Sequence, residues 1–309
     1  MRTYPPPNKD PMKATVPVLL LVFLPAAFSS LVSAPPGKAS PARMRYDHGD
    51  PTPCEQLMLE MINRARADPT AEAARLGIQL NKGLEAGAIS SSPKPPLAFH
   101  PKLTAAARGH TRWMLSAGRF SHTGAEGSDP RKRVAAAGYE FSQSWSQAEN
   151  IGFGGTVGTP DLPTETAARH DALFQSPEHR KNICGPDFRE IGLGLMAGRF
   201  KGGNAVLVTQ NFAKGGTGPS PLVTGVVFED RDGDGFYDPG EGMAGVTVVP
   251  EGGNWEAVTS ASGGYAVPYD STAAGTLTVT FQSGPLRGAV QRSVTRTGGN
   301  VKVDLLRKP

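Results

Sequence analysis

The 309-residue sequence has only two cysteines, so at most one disulfide can form within it. It also lacks any basic run interleaved with aromatics. The net charge of +4 is small and scattered, which argues against nucleic acid as a partner. A pI near 9.1 favours acidic surfaces but discriminates weakly. After the N-terminal region no apolar run is long enough to span ~30 Å of hydrocarbon, so no membrane span is expected once that region is removed. There is no wall-sorting tail; the sequence ends in "LLRKP". What it has in excess is glycine (38) and proline (28), together more than a fifth of the chain. With 38% hydrophobic content, that regular punctuation reads as folded domains rather than disorder.

The stretch "MKATVPVLLLVFLPAAFSSLVSAPP" combines Lys13, an apolar run from about Val16 to Phe28, and small residues at Ser33 and Ala34. That is the three-part layout of a secretory signal, expected over 1–34. Residues 1 to 11, with three consecutive prolines, sit awkwardly before it, and Met12 is the alternative start. A membrane anchor is the rival reading, disfavoured by a short run that contains Pro17 and Pro25. A secreted, extracellular or cell-envelope location follows, with surface retention left open. Export would place Cys54 and Cys184 in an oxidising compartment, where they either pair or remain isolated small hydrophobes.

Residues 35–51 are proline-rich and polar and read as a tether. Thr52-Pro53-Cys54-Glu55 then has the pattern of a capped helix start, followed by Leu57, Met58, Met61, Ile62 and Ala65 at helical spacing. A second helix is expected over Leu103–Ala117, a third from Asp129-Pro130 to Gly138, and a fourth from Pro163 to Phe174. The strands "EIGLGLMAG" and "AVLVTQNFA" form a hairpin through "KGGN". Together these give an α+β domain over 52–213. "KGGTGPSP", 214–221, reads as a flexible linker. Seven short alternating runs with turn residues between them fill 222–309, the pattern of an all-β sandwich.

Within that second domain, "DRDGDGFYDPGE" runs from Asp230 to Glu241. Asp230, Asp232, Asp234, Asp238 and Glu241 supply carboxylates, Gly235 permits a sharp turn, and Phe236 offers a carbonyl. This is the ligand order of an EF-hand calcium loop. A hard cation takes six to eight oxygens, and clustered carboxylates repel one another without one. A solvated acidic turn is the plainer alternative. The loop and its flanks resemble the calcium-binding B-type repeats of bacterial surface adhesins, which implies a stiffened spacer or adhesion module.

Six histidines remain to be placed. His48 falls in the tether and His100 in a loop. His110 sits on the apolar face of the second helix as a core histidine, and His170 reads as helix surface. His122, in "GRFSHTG", and His179, in "SPEHRKNI", are the two candidates for a site.

"MINRARADP", "LTAAARGHTRWM", "RFSHTG", "RVAAAGY", "AENIGFGG", "SPEHRKNI" and "EIGLGL" follow one another in an order that resembles the CAP superfamily. That family comprises the cysteine-rich secretory proteins, antigen 5 and pathogenesis-related one, and its module is also called the SCP domain. The resemblance covers 54–213 and is closest to the bacterial branch. It implies an α-β-α sandwich with histidines and acids around a central cavity, here His122, Glu149 and His179. The family's second acid falls at Ser176, and Leu173 stands where the family has tryptophan.

Some relatives hold zinc or another divalent ion between the histidines. Three arrangements stay open: all three residues as zinc ligands with a free fourth position, two imidazoles on the metal with Glu149 orienting one, or a hydrogen-bond network with no ion. Asn150 is expected to fix a turn beside the cleft, and Arg180 and Asn182 to anchor the loop after His179. Ser121 and Thr123 flank His122, but adjacency does not make either a nucleophile. "GFGGTVG" lacks the lysine of a phosphate cradle.

The reading that results is an exported, non-enzymatic CAP protein whose cleft (His122, Glu149, Asn150, His179) takes a small ligand, lipid, glycan or envelope protein. The alternative is a metal-dependent hydrolase of peptide or peptidoglycan bonds, with the three residues holding a zinc-bound water. A purely structural surface protein is the third.

Overall fold

The computed structural model describes residues 42–219 and 221–309; the expected signal, 1–34, lies outside the described residues. The described chain enters through β1 (Met44–Arg45) and turns into α1 (Pro53–Ala67). Thr52 caps that helix reciprocally. Its hydroxyl accepts from the Glu55 amide at 3.2 Å, and the Glu55 carboxylate accepts from the Thr52 amide at 2.9 Å. Asp68 ends α1 and opens α2 (Pro69–Arg75), a helix absent from the sequence reading.

β2 (Ala98–Phe99) leads into α3 (Pro101–Ala117), where the His100 ring accepts from the Lys102 amide as an N-cap. α4 (Pro130–Ala136) follows, and then β3 (Phe141–Thr156), a long strand the sequence analysis did not assign. α5 (Leu162–Gln175) and α6 (Pro177–Ile183) precede the hairpin β4 (Glu190–Phe200) and β5 (Gly203–Gly216).

The sheet order is β2-β4-β5-β3, with β2 parallel to β4 and the other pairs antiparallel. One face packs Ile191, Leu193, Val206 and Val208 against Met58 and Ile62 of α1 and Phe174 of α5. On the other, α3 presses onto β4. A Cβ on Gly192 would fall inside the Leu103 backbone, and one on Gly194 would collide with Ala107, so glycine at both positions sets the helix-to-strand distance. The expected α-β-α layering is therefore present.

The rest forms two sheets. β6 (Leu222–Glu229), β7 (Thr247–Pro250), β8 (Trp255–Val258), β9 (Gly264–Pro268), β10 (Thr276–Gln282), β11 (Val290–Thr295), β12 (Val301–Lys302) and β13 (Leu305–Arg307) match the seven alternating runs, the last run splitting into two strands. One sheet runs β1-β8-β7-β10-β11; in the other, β6 pairs with β9, β12 and β13. Both contribute to one core, Val223, Tyr265 and Val267 meeting Val248, Leu277 and Phe281. The alternating pattern of a sandwich has this outcome.

Two connecting segments differ from expectation. The tether reading fails for its second half, because β1 pairs in parallel with β8 and His48, buried, bonds the Val258 carbonyl at 2.9 Å. The linker reading fails for Lys214–Gly216, which continue β5 and pair with β3. Small flexible residues read as loop from sequence, yet a long partner strand supplies their hydrogen bonds.

Ala42–Pro309 form one compact unit. The junction is built on α1, whose Leu57 and Met61 pack against Val226, Phe228 and Tyr237. Lys302 of β12 reaches Glu60 of α1 at 2.8 Å, and Asp304 flanks the same ammonium. Burial opposes the Lys302 charge, but the two carboxylates outweigh it and raise its pKa above the usual range. Leu57→Ala should cost about 2–4 kcal/mol. Calorimetry should show both sheets' regions unfolding in one lowered transition; a shift confined to one of two separate transitions would refute the shared junction.

Candidate functional site

The loop after α3 carries His122, and two elements stitch it in place. His110 of α3 bonds the Ser121 carbonyl through Nε2 at 2.9 Å. Arg133 of α4 donates Nη1 to the carbonyls of His122 (2.9 Å) and Ser128 (2.8 Å). The His122 side chain, 51% exposed, turns Nδ1 to Glu149 Oε1 at 2.9 Å. An ionised carboxylate only accepts, so Nδ1 carries the proton and Nε2 is the free lone pair.

Glu149 is buried on β3. Its second oxygen accepts from Arg133 Nη2 at 2.6 Å, and His110 Nε2 stands 3.9 Å from Oε1. Asn211 of β5, with its amide nitrogen turned toward the carboxylate, adds a contact at 3.2 Å. The core placement of His110 holds: it is buried and stacks on Trp113 at 5.5 Å. Burial pushes its pKa down, partly opposed by the Glu149 charge.

Asn150 is next on the strand and points the other way. It is fully buried and does not line the cleft, contrary to its expected place there. Its Nδ2 donates to the His179 carbonyl at 3.1 Å and to Gln210 Oε1 at 3.0 Å, and its Oδ1 accepts from Asn182 at 2.8 Å. It acts as a peg holding α6 to the sheet. His179 occupies α6, and the residues expected to form a loop after it continue that helix to Ile183. Arg180, buried, donates to the carbonyls of Leu80, Lys82, Phe174 and Gln175, so it braces segments that precede His179 rather than a loop after it.

His122 and His179 line one cavity of about 400 Å³. Ile151, Phe153, Phe120 and Leu173 give it apolar walls, and Ser176, where the family's second acid would stand, lies on its lining. Phe120 and Phe153 meet edge to face at 4.8 Å. Burial lowers the His179 pKa, and the nearby His122 lowers it further, against a small opposing effect of Glu178. Glu149 stands behind His122 rather than on the cavity surface.

Among the described residues, two groups bring three ligand atoms within 4.8 Å of one another: Glu72–His170–Asp171 and Asp230–Asp232–Asp234. His122, Glu149 and His179 are not such a group. The first group corrects the surface reading of His170, which is buried with Nε2 2.9 Å from Glu72 Oε1 because α5 packs on α1 and α2. Arg64 and Arg75 also bond Glu72. Burial disfavours that carboxylate, but the hydrogen bonds from His170, Arg75 and Arg64 prevail and hold its pKa well below the usual range. Two guanidinium groups leave this cluster no use for a cation.

In the acidic loop, Asp230 and Glu241 are buried while Asp232 and Asp234 are exposed. Glu241 accepts from the amides of Arg231 (2.7 Å) and Asp238 (3.0 Å), drawing the two ends of the loop together. Burial, then Asp234, Asp232 and Glu241, raise the Asp238 pKa, and Asp230 converges with Asp232 and Asp234. Phe236 and Tyr237 turn away toward α1, with Arg64 5.0 Å above the Phe236 ring.

The cysteines are both free, the second of the two alternatives the sequence left open. Each thiol is buried in the same apolar core, and burial pushes Cys184 up to about 11.

Sequence reasoning missed Arg133, Phe120, Phe153 and Arg169. A carboxylate buried on a strand needs a cation, and "RKR" in the preceding block was the signal for one. The cavity wall had no such signal.

Comparison with known proteins fits this architecture. Residues 59–212 match the family described as "CAP: Cysteine-rich secretory protein family". The chain therefore carries a CAP domain. Among solved structures, an outer surface protein from Borrelia burgdorferi aligns at 16% identity over 52% of this chain and 92% of that one, with a TM-score of 0.33. An extracellular protein containing an SCP domain from Bacillus anthracis str. Ames aligns at 19% identity over 54% of this chain, with a TM-score of 0.31; the match spans 45% of that protein's length. No curated protein matches. Among the described residues no helix is long and apolar enough to cross a membrane.

In an NMR titration the His179 imidazole should ionise below 6.5, and His122→Asn should move its midpoint upward by removing a second ring whose own protonation opposes that of His179. A midpoint unmoved by the substitution would show that the two rings do not share a site.

Proposed function

We propose that this is an exported, non-enzymatic CAP protein that holds a small, largely apolar ligand between α5, α6 and β3. One observation carries the reading: both histidines open onto a single cavity of about 400 Å³ whose other walls are largely aromatic and aliphatic, with Arg169, Ser121 and Ser176 as the remaining polar groups. That volume lies in the ~300–1,000 Å³ range of small-molecule sites, and apolar walls with a few polar groups are their usual make-up. Hydrocarbon walls favour a lipid-like molecule over a glycan. The signal-like N-terminus and the family's secretory character support placement outside the cell or at its envelope.

The hydrolase alternative gains nothing from the geometry. Zinc hydrolases hold the ion with three protein ligands, whereas both oxygens of Glu149 are engaged by His122 and Arg133. The two imidazoles are the ligands an ion in this cavity would find, with Glu149 fixing the His122 tautomer from behind. Ser121 Oγ accepts from the Thr123 amide at 3.0 Å and is not hydrogen-bonded to an imidazole.

The loop 230–241 fits calcium. Oxygens of Asp230, Asp232 and Asp234 already converge within 4.8 Å, and Asp238 and Glu241 adjoin them. Calcium would neutralise that cluster and stiffen the sandwich next to α1, giving the adhesion or spacer role.

Nile red, a neutral apolar probe, should bind saturably at one site, and Phe153→Ser should weaken it about three- to tenfold by removing apolar contact. Non-saturable binding, or none, would sink the cleft reading. For the loop, calcium should raise the thermal midpoint by a few degrees, about 2.7 kcal/mol at a hundredfold excess over Kd. Asp232→Ala with Asp234→Ala should remove that rise; no calcium effect on the parent protein would end the assignment.

A further inference from the structure

A second cavity, of about 440 Å³, shares no residue with the cleft. Arg45, Asp47, His48 and Asp50 line it from the segment between β1 and α1, and Thr259 and Ser260 line it from the sandwich. That segment is fixed to both halves of the protein. His48 bonds the Val258 carbonyl, Gly49 lies against Pro101, and the Asp50 carbonyl accepts from Arg108 Nη2 at 2.9 Å. Gly49, at a φ of 83°, turns the chain, and Asp47 Oδ1 accepts the Gly49 amide at 2.9 Å.

Beyond its brace on β8, His48 has a nitrogen to spare. A carbonyl only accepts, so Nε2, 2.9 Å from the Val258 oxygen, carries the ring proton. Nδ1 is then a lone pair, with no partner among the described residues. The residue is 6% exposed and borders the cavity. Burial lowers its pKa against the opposing charges of Asp47 and Asp50, which keeps the ring neutral. In His110 and His170 the second nitrogen is sealed in protein; among the described residues that of His48 is not.

A metal-bound imidazole characteristically donates its other N–H to a carbonyl or carboxylate, which fixes ring and tautomer. The His48–Val258 bond has that form. Asp47 and Asp50 are exposed, enter no ion pair among the described residues, and outnumber Arg45, the one cation on the lining. The three ligand atoms do not converge within 4.8 Å, but the carboxylates sit on exposed side chains that can turn inward. Imidazole with carboxylate suits zinc and its transition-metal neighbours, whereas calcium and magnesium take oxygen ligands.

We propose that His48 Nδ1, Asp47 and Asp50 bind a divalent transition ion of the zinc type, which fastens the chain where it passes from β1 to α1. The site depends on neither the cleft nor the acidic loop.

Calorimetric titration of the full chain with zinc, in excess calcium to occupy 230–241, tests the assignment. Asp47→Asn with Asp50→Asn should weaken zinc binding by about tenfold or more. His48→Gln should abolish it. Because His48 also braces β8, the aspartate pair, with its exposed side chains, gives a readout that does not hinge on folding. His122→Asn with His179→Asn should leave this zinc in place, which separates it from any ion in the cleft. No zinc binding to the parent protein, affinity unchanged in the aspartate pair, zinc retained by folded His48→Gln, or zinc lost only with the cleft histidines would each overturn the site.

Discussion

The carboxylate of Glu149 organises this domain's functional half. A charge buried on a central strand is tolerated only with close partners, and here they come from three separate elements. Arg133 brings α4, His122 brings the loop after α3, and His110 brings α3 itself. The ion pair thus ties three stretches to β3 and fixes which imidazole nitrogen faces the cavity. Asn150, one residue on, does the same work on the opposite face by bonding the His179 carbonyl and Asn182. Two neighbouring polar side chains on one strand therefore station the two histidines, one by charge and one by amide geometry. The cavity between them is what remains when both anchors are satisfied.

Much of this was legible in the residues. Asp-Pro and Thr-Pro starts marked α1, α3's neighbour α4 and the direction of the chain through them, and alternating runs marked the sandwich strands from β6 onward, though not β1, which was read as tether. What was illegible depends on partners distant in sequence. β3 has glycine, serine and glutamine where a strand would show alternating hydrophobics, and it is held by twelve registered positions on β5. His170 sits in a sequence of helix-surface character and becomes buried only because α2, itself unanticipated, delivers Glu72. The order of motifs brings His122, Glu149 and His179 together in the text, and the structure places two of them, His122 and His179, on one cavity. That order could not show that Glu149 faces away from the cavity, since that is decided by Arg133. Nor did it show that Cys54 and Cys184 lie unbridged in one core, since their spacing carries no geometry.

The hydrogen-bond anatomy also separates groups that look alike in the text. The domain is rich in arginine, and most of its buried guanidinium groups act as internal braces for loop carbonyls. That is a role arginine fills well, because one planar group can satisfy several orphan acceptors at once. The histidines divide similarly. His48, His100, His110 and His170 are structural, held by a carbonyl, an amide, a stacked indole and a carboxylate. His122 and His179 alone open onto the cavity.

Helix α1 has one side in the α-β-α core and the other against β6 and the Phe236–Tyr237 turn of the acidic loop. A helix clasped by two cores cannot let one swing while the other stays still. Tension applied through the C-terminal sheets would travel along α1 straight to the layer beneath the cavity, so any attachment made by the second half would be mechanically sensed by the first.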